Sequence, residues 1–402
     1  MTDAKSKLAG KHNLFPLEEM LEEYKQKRSL KIGIPKEESK FEHRVPLSPD
    51  GVKILSRRNH KIYIEQNAGL SCNWTDAEYS SAGAVISDRE KIFKQEIIAK
   101  ISPFNTKDIE LLHKGQMLFS ALHSSSQTAK NIKKLMAKKV TAIAFELISD
   151  SNNYSPFLHP VSEISGILAI NEASKYMSLA VNGRGILLGG ITGMPAAEVV
   201  ILGAETAGIS AAKAALGLGA DIKIFDYNLQ NLYKLKSHLP HGVSTYLIKD
   251  SLLKKHIKTA DVIVGAMNFK AGETGNFINS DMVMKMKKNS VIIDLNADNI
   301  SAFETSRPTN SGSPVYKTHH VIHYCVPNIA ALVPTTTSEA FSNALAPILG
   351  DIAAVRHSNS VISKDSSLKS GTYIYNGILT NKGLGKKFDF QYSDINLISS
   401  VF

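Results

Sequence analysis

The sequence predicts an α/β protein of two units, each a parallel sheet with crossover helices. Three observations predict it. Short apolar, strand-like runs alternate with charged helical stretches over the first part of the chain. A second such series follows one long helix rich in small residues. The chain also has 402 residues, more than one hydrophobic core usually holds, so two domains are expected. Alternation of strand and helix means parallel strands, because a parallel neighbour is reached only by a crossover.

In chain order, residues 1–30 are a polar lead-in, with a helix expected at 17–27. "KIGIPKE" opens with strand-like alternation, and "HKIYIEQNAG", "EIIAKISP", "GQMLFSALH" and "VTAIAFELI" continue the first series. Between the last two lies "KNIKKLMAKK", whose lysines fall at helical spacing around Ile132, Leu135 and Met136, as on an amphipathic helix. "VSEISGILAINEASKYMSLAVNG" is the long helix. "GRGILLGGITGMPAAEVVILGAETAG" then packs glycine and proline before the second series: "DIKIFD", "DVIVGAM", "SVIIDLNAD" and "HVIHYCV". From Thr335 the tail returns to a helix, "TSEAFSNALAPILGDIAAV".

Composition narrows the function. No apolar run reaches membrane-spanning length, and the N-terminus has neither an apolar h-region nor a small-residue cleavage site, so no signal peptide is expected. The two cysteines, Cys72 and Cys325, give no disulfide framework and fit a reducing cytoplasm. The net charge of +10 is spread over the chain. It is read as solvated faces rather than a nucleic-acid patch, and it suits anionic small substrates and cofactor phosphates. No metal-ligand set is read.

The chemistry starts at "VVILGAETAGISAAKAALGLGADIKIFDYN". An apolar strand at 199–202 runs into Gly203, a helix is expected from Gly208, and the next strand ends on Asp226. A phosphate-binding turn uses one glycine for the tight turn, one for close approach of the pyrophosphate and one for helix–strand packing. Gly203 and Gly208 fill the first and third places, and Glu205 stands in the second. Asp226 is placed to accept the ribose hydroxyls and to disfavour a 2′-phosphate, which indicates a Rossmann domain for NAD rather than NADP.

On these and further motifs the chain resembles the alanine dehydrogenase family, which also contains the NAD-binding alpha subunit of proton-translocating transhydrogenase. The motifs are "KIGIPKEESKFEHRVPLSPDGVKIL", "GQMLFSALH", "SEISGILA", "GRGILLGGITGMPAAEVVILGA", "SVIIDLNADNISAFETSRPT" and "HYCVPNIAALVPTTTSEAFSNA", in family order from about Lys31 onward. The resemblance implies two Rossmann-like, doubly wound parallel-sheet domains. A substrate domain (1–156 and 335–402) would be split around an NAD-binding domain (157–334). It implies NAD-dependent, reversible deamination of a small amino acid, L-alanine, to pyruvate and ammonia, by a homo-oligomer, a hexamer, with no membrane or nucleic-acid partner. Arg44 matches the arginine that holds the substrate carboxylate, a role a planar guanidinium fits. His123 matches the catalytic histidine at the reacting carbon, and Asp298 the aspartate near the nicotinamide. Ser162, Asp226, Met267 and Asn328 match positions lining the cofactor or substrate site.

The chain also departs from the family. Ser102 stands where alanine dehydrogenases carry a lysine that pairs with the substrate carboxylate. Lys100 lies on the same strand face but one repeat too far back, roughly 6–7 Å. Asn299, Ile300 and Ser301 replace Gln-Gly-Gly after Asp298. With Glu205, these changes keep two alternatives open: a catalytically degenerate paralogue, and an NAD-binding module of the transhydrogenase alpha type.

Overall fold

The structure, a computed structural model, describes residues 29–269, 274–353 and 358–399. The helix expected at 17–27 lies outside the described residues.

The continuous apolar runs become strands covered on both faces. In β7 (Glu198–Leu202), Val199 and Ile201 join one core, while Val200 and Leu202 join the core on the opposite side of the sheet. The first sheet repeats this pattern. In β4 (Ile97–Ala99), Ile97 and Ala99 face one core and Ile98 the other. Burial on both faces is why these strands show apolar runs rather than strict alternation.

Two sheets result. In the first, β1 (Lys31–Ile34), β2 (Lys61–Glu65), β3 (Val85–Ser87), β4, β5 (Met117–Ser120) and β6 (Thr141–Ala144) are parallel, ordered β3-β2-β1-β4-β5-β6. In the second, β7, β8 (Asp221–Asp226), β9 (Val243–Leu247), β10 (Val262–Gly265), β11 (Val291–Asp294) and β13 (Val321–Tyr324) give the same doubly wound order, β9-β8-β7-β10-β11-β13. β12 (Val315–Thr318) closes its edge antiparallel to β13. The tail then returns to the first sheet as the hairpin β14 (Thr372–Tyr375) and β15 (Ile378–Leu379), β14 pairing with β6.

Two long helices link the sheets. Leu158–Met177 leads from the first to the second, and Pro334–Ala353 leads back. The buried face of the former carries Gly166, Ala169, Ile170 and Ala173, and it lies against the helix Thr206–Gly217, with Gly166 close to the Ala207 carbonyl. The basic stretch after β5 forms the helix Ala129–Ala137, with Ile132 and Leu135 buried as expected. No helix among the described residues is long and apolar enough to cross a membrane.

Candidate active site

The turn after β7 needs its two glycines. Gly203 has φ +106°, and a Cβ there would lie 2.5 Å from the Ala266 carbonyl oxygen. Gly208 sits so tightly on the Gly203 carbonyl that no Cβ fits. The helix begins at Thr206, earlier than Gly208, because Glu205 takes the N-cap place in extended conformation and its carbonyl accepts from Ile209 N at 2.8 Å. The Glu205 side chain makes no capping bond and is exposed. It stands where two cavities meet. One, of about 440 Å³, is lined by Gly203, Asp226, Met267 and Phe269, and the other, of about 580 Å³, by Thr206, Lys213, Lys234 and His159. Asp226 is buried at the end of β8. Its carboxylate accepts from Ala204 N (2.8 Å), Asn228 N (2.6 Å) and Asn231 Nδ2 (3.3 Å), tying the turn to the following helix.

A further cavity, of about 380 Å³, brings Arg44, His123, Asp298 and Asn328 together. Arg44 and His123 come from the first sheet's loops, Asp298 and Asn328 from the loops after β11 and β13, so the cavity lies between the two sheets. Its apolar wall includes Phe145, Phe157 and Phe341, whose rings pack with centroids 4.7–5.4 Å apart. The Arg44 guanidinium lies 5.7 Å from the Phe341 ring centre. His123 stands beyond the end of β5 at φ +44°, and Asn328 at φ +54°.

The other expected residues fall elsewhere. Ser162 sits between Val161, on the 380 Å³ cavity, and Glu163, on the 580 Å³ one. Ser102 is not among the residues lining the substrate-sized cavity, although its neighbour Ile101 is. Its amide donates to Glu37 Oε1 at 3.1 Å, beside the Ile101 amide at 2.7 Å. Lys100 is buried, with Nζ 2.8 Å from Asp108 Oδ2 and 3.6 Å from Glu37 Oε2. It is part of the packing and does not reach toward the cavity. Burial pushes the Glu37 carboxyl above its usual range despite Lys100 beside it. Ser301 has a local role, since its hydroxyl donates to Oδ2 of the buried Asp294 at 2.6 Å. Burial raises the Asp294 carboxyl, against the opposing pull of the Ser301 and Ser306 hydroxyls and the Asn296 amide.

Two carboxylates, Glu146 on the cavity and Glu42 just behind it, escape the sequence reading. Glu42 holds Arg44 in a fork, accepting from Nε at 2.7 Å and from Nη2 at 2.6 Å, and Asn328 Nδ2 lies 3.4 Å from it. Glu146 accepts the amides of Leu122 and His123. Glu42 sits two residues from Arg44 in "FEHR", a spacing that carries no signal in a loop. Glu146 left a trace, a lone acid inside the apolar run "VTAIAFELI".

The fold and site define a class: two doubly wound units with a cavity between them that holds Arg44, His123 and Asp298, beside a dinucleotide-type turn. Family models described as alanine dehydrogenase/PNT, N-terminal domain and C-terminal domain match residues 33–165 and 169–382. Alanine dehydrogenase of Staphylococcus saprophyticus is 33% identical over 366 residues, covering 90% of this chain and 98% of that protein. Alanine dehydrogenase 2 of Staphylococcus aureus is 33% identical over 368 residues, covering 91% and 98%. A solved L-alanine dehydrogenase superposes with a TM-score of 0.85 at 31% identity, over 90% of this chain and 99% of that one. A transhydrogenase from Sinorhizobium meliloti shares the fold, with a TM-score of 0.76 at 20% identity, over 87% and 100%. The chain belongs to the alanine dehydrogenase/PNT family.

Proposed function

We propose that this chain is an NAD-dependent dehydrogenase that converts L-alanine, NAD⁺ and water to pyruvate, ammonium, NADH and a proton, and runs in reverse. The single observation that carries this reading is the meeting of Arg44, His123, Asp298 and Asn328 in one cavity between the sheets. Residues 157–334 carry the cofactor, and 1–156 with 335–402 carry the substrate. The glycine cradle at Gly203 and Gly208, with Asp226 at the strand end, fits NAD, which when bound supplies the hydride acceptor.

The side chains divide the remaining work. Glu42 occupies Nε and Nη2 of Arg44, which leaves the Nη1 donors for the substrate carboxylate. His123 and Asp298 hold and release protons as ammonia and water exchange at the reacting carbon. The phenylalanine wall excludes water from that carbon. The chain works as a homo-oligomer, a hexamer. The exposed side chains of Leu187, Ile191 and Met194 supply apolar surface for contact between copies, and light scattering on the purified protein checks it.

The test is NADH absorbance with L-alanine and NAD⁺, and with pyruvate, ammonium and NADH in reverse, on wild type and His123→Ala. Turnover that depends on alanine and is lost in His123→Ala supports the reading. Normal turnover in His123→Ala refutes the assigned site. A silent wild type that Ser102→Lys with Glu205→Gly revives identifies a degenerate paralogue.

A further inference from the structure

Strands β5 and β6 run parallel with Ser120 level with Ala144. Two residues further on, Leu122 is therefore level with Glu146, the middle residue of the single helical turn Phe145–Leu147. Glu146 Oε1 accepts from Leu122 N at 2.8 Å and from His123 N at 2.9 Å. Neighbouring bonds hold the same loop. Gln127 Nε2 donates to the Leu122 carbonyl at 2.6 Å, and Ser126 donates to the His123 carbonyl through both its amide and its hydroxyl at 2.9 Å.

That much fixing is needed because His123 stands at φ +44°. A non-glycine residue keeps this left-handed conformation only where its surroundings over-determine it. The other oxygen, Oε2, is buried and accepts no hydrogen bond among the described residues. Here the bonding is concentrated on the two amides that set the turn.

We infer that Glu146 is a positioning residue for His123, capturing the Leu122 and His123 amides so that the imidazole is delivered into the cavity shared with Arg44 and Asp298. The functional consequence rests on the dehydrogenase reading above, while the geometric one does not. Glutamine at 146 keeps a carbonyl oxygen for both amides and places its NH₂ where Oε2 has no partner. Alanine keeps neither oxygen.

The experiment compares wild type, Glu146→Ala and Glu146→Gln by hydrogen–deuterium exchange of the segment 118–128, by NADH binding and by alanine kinetics. Expected are faster exchange at Leu122 and His123 in Glu146→Ala only, and a fall in kcat of about a hundred-fold in that variant, the usual cost of misplacing a reacting group by about 1 Å. KM for alanine and the affinity for NADH should change far less than kcat, and Glu146→Gln should recover most of the loss. Unchanged exchange in Glu146→Ala overturns the proposal. So does a Glu146→Gln variant as slow as Glu146→Ala, because charge rather than amide capture would then be what matters. A wild type that does not turn over alanine sinks the dehydrogenase reading, while the exchange comparison still decides what Glu146 does.

Discussion

Replacing Glu205 by glycine should tighten NADH binding. Its backbone lies in the extended region, at φ −88° and ψ −168°, so glycine relieves no strain there. Its side chain caps nothing, so the helix loses only a few tenths of a kcal/mol by the substitution. The effect therefore falls on the ligand. Two unit charges at ~4 Å repel by roughly 1 kcal/mol in water, and a pyrophosphate carries two of them. An exposed carboxylate is screened by salt and turns toward solvent, so the low end applies and the gain should be about ten-fold in Kd. NADH fluorescence titration at fixed ionic strength measures it. Glu205→Gln, the same size without the charge, separates the causes. A gain in both variants is electrostatic, and a gain in glycine alone is steric. No gain in either refutes the placement of the pyrophosphate at this turn.

Acid should destabilise the fold through His323, which is fully buried, with Nε2 2.8 Å from Thr305 Oγ1 and its pKa lowered to about 4 by burial. The unfolded chain takes up this proton near the ordinary 6.5, before the folded one does. Stability is therefore complete above 6.5 and is lost as pH falls from 6.5 to about 4, amounting to about 2 kcal/mol between pH 7 and 5, and urea unfolding of His323→Asn should show that much less acid sensitivity than wild type. Ser102→Lys should raise kcat/KM for alanine about ten- to a hundred-fold by restoring a charge-assisted bond to the substrate carboxylate. No gain would mean that Glu37, which already holds the Ser102 amide, captures the new ammonium. Asp226 should make NADPH bind at least about ten-fold more weakly than NADH, since its buried carboxylate meets the 2′-phosphate, and equal affinities would remove that role.

The sequence announced those parts of the fold whose burial is one-dimensional. β4, β5 and β6 of the first sheet and β7, β10 and β11 of the second are covered on both faces, so each appears as a largely apolar run. The edge strands do not. β9 reads "VSTYL" and β12 reads "VYKT", half-exposed and polar enough to pass for loop. The hairpin β14–β15 is absent from the sequence reading, yet it carries its own signal. Asn376 and Gly377 take φ +48° and +84° between Tyr375 and Ile378, which pair, as a two-residue turn requires. The site divides along the same line. Arg44, His123, Asp298 and Asn328 stand in motifs, and Glu42 lies beside Arg44 with no spacing signal in a loop, whereas Glu146 acts on Leu122 and His123, which only folding brings near.

The departures from the family motifs are accommodated by the structure in a consistent way. At 102 the short side chain lies beside Glu37, a buried carboxylate that bonds the amides of both Ile101 and Ser102. At 301 the new hydroxyl donates to Asp294 and accepts from Phe303 N at 2.9 Å, partnering a buried acid that burial would otherwise leave costly. At 205 the carboxylate meets open cavities rather than packed atoms. Gly203 and Gly208 lie against backbone so closely that a side chain does not fit, and Glu42 grips Arg44 at two points. The three changed positions thus have local partners or open space, while the turn glycines are fixed by close backbone contact.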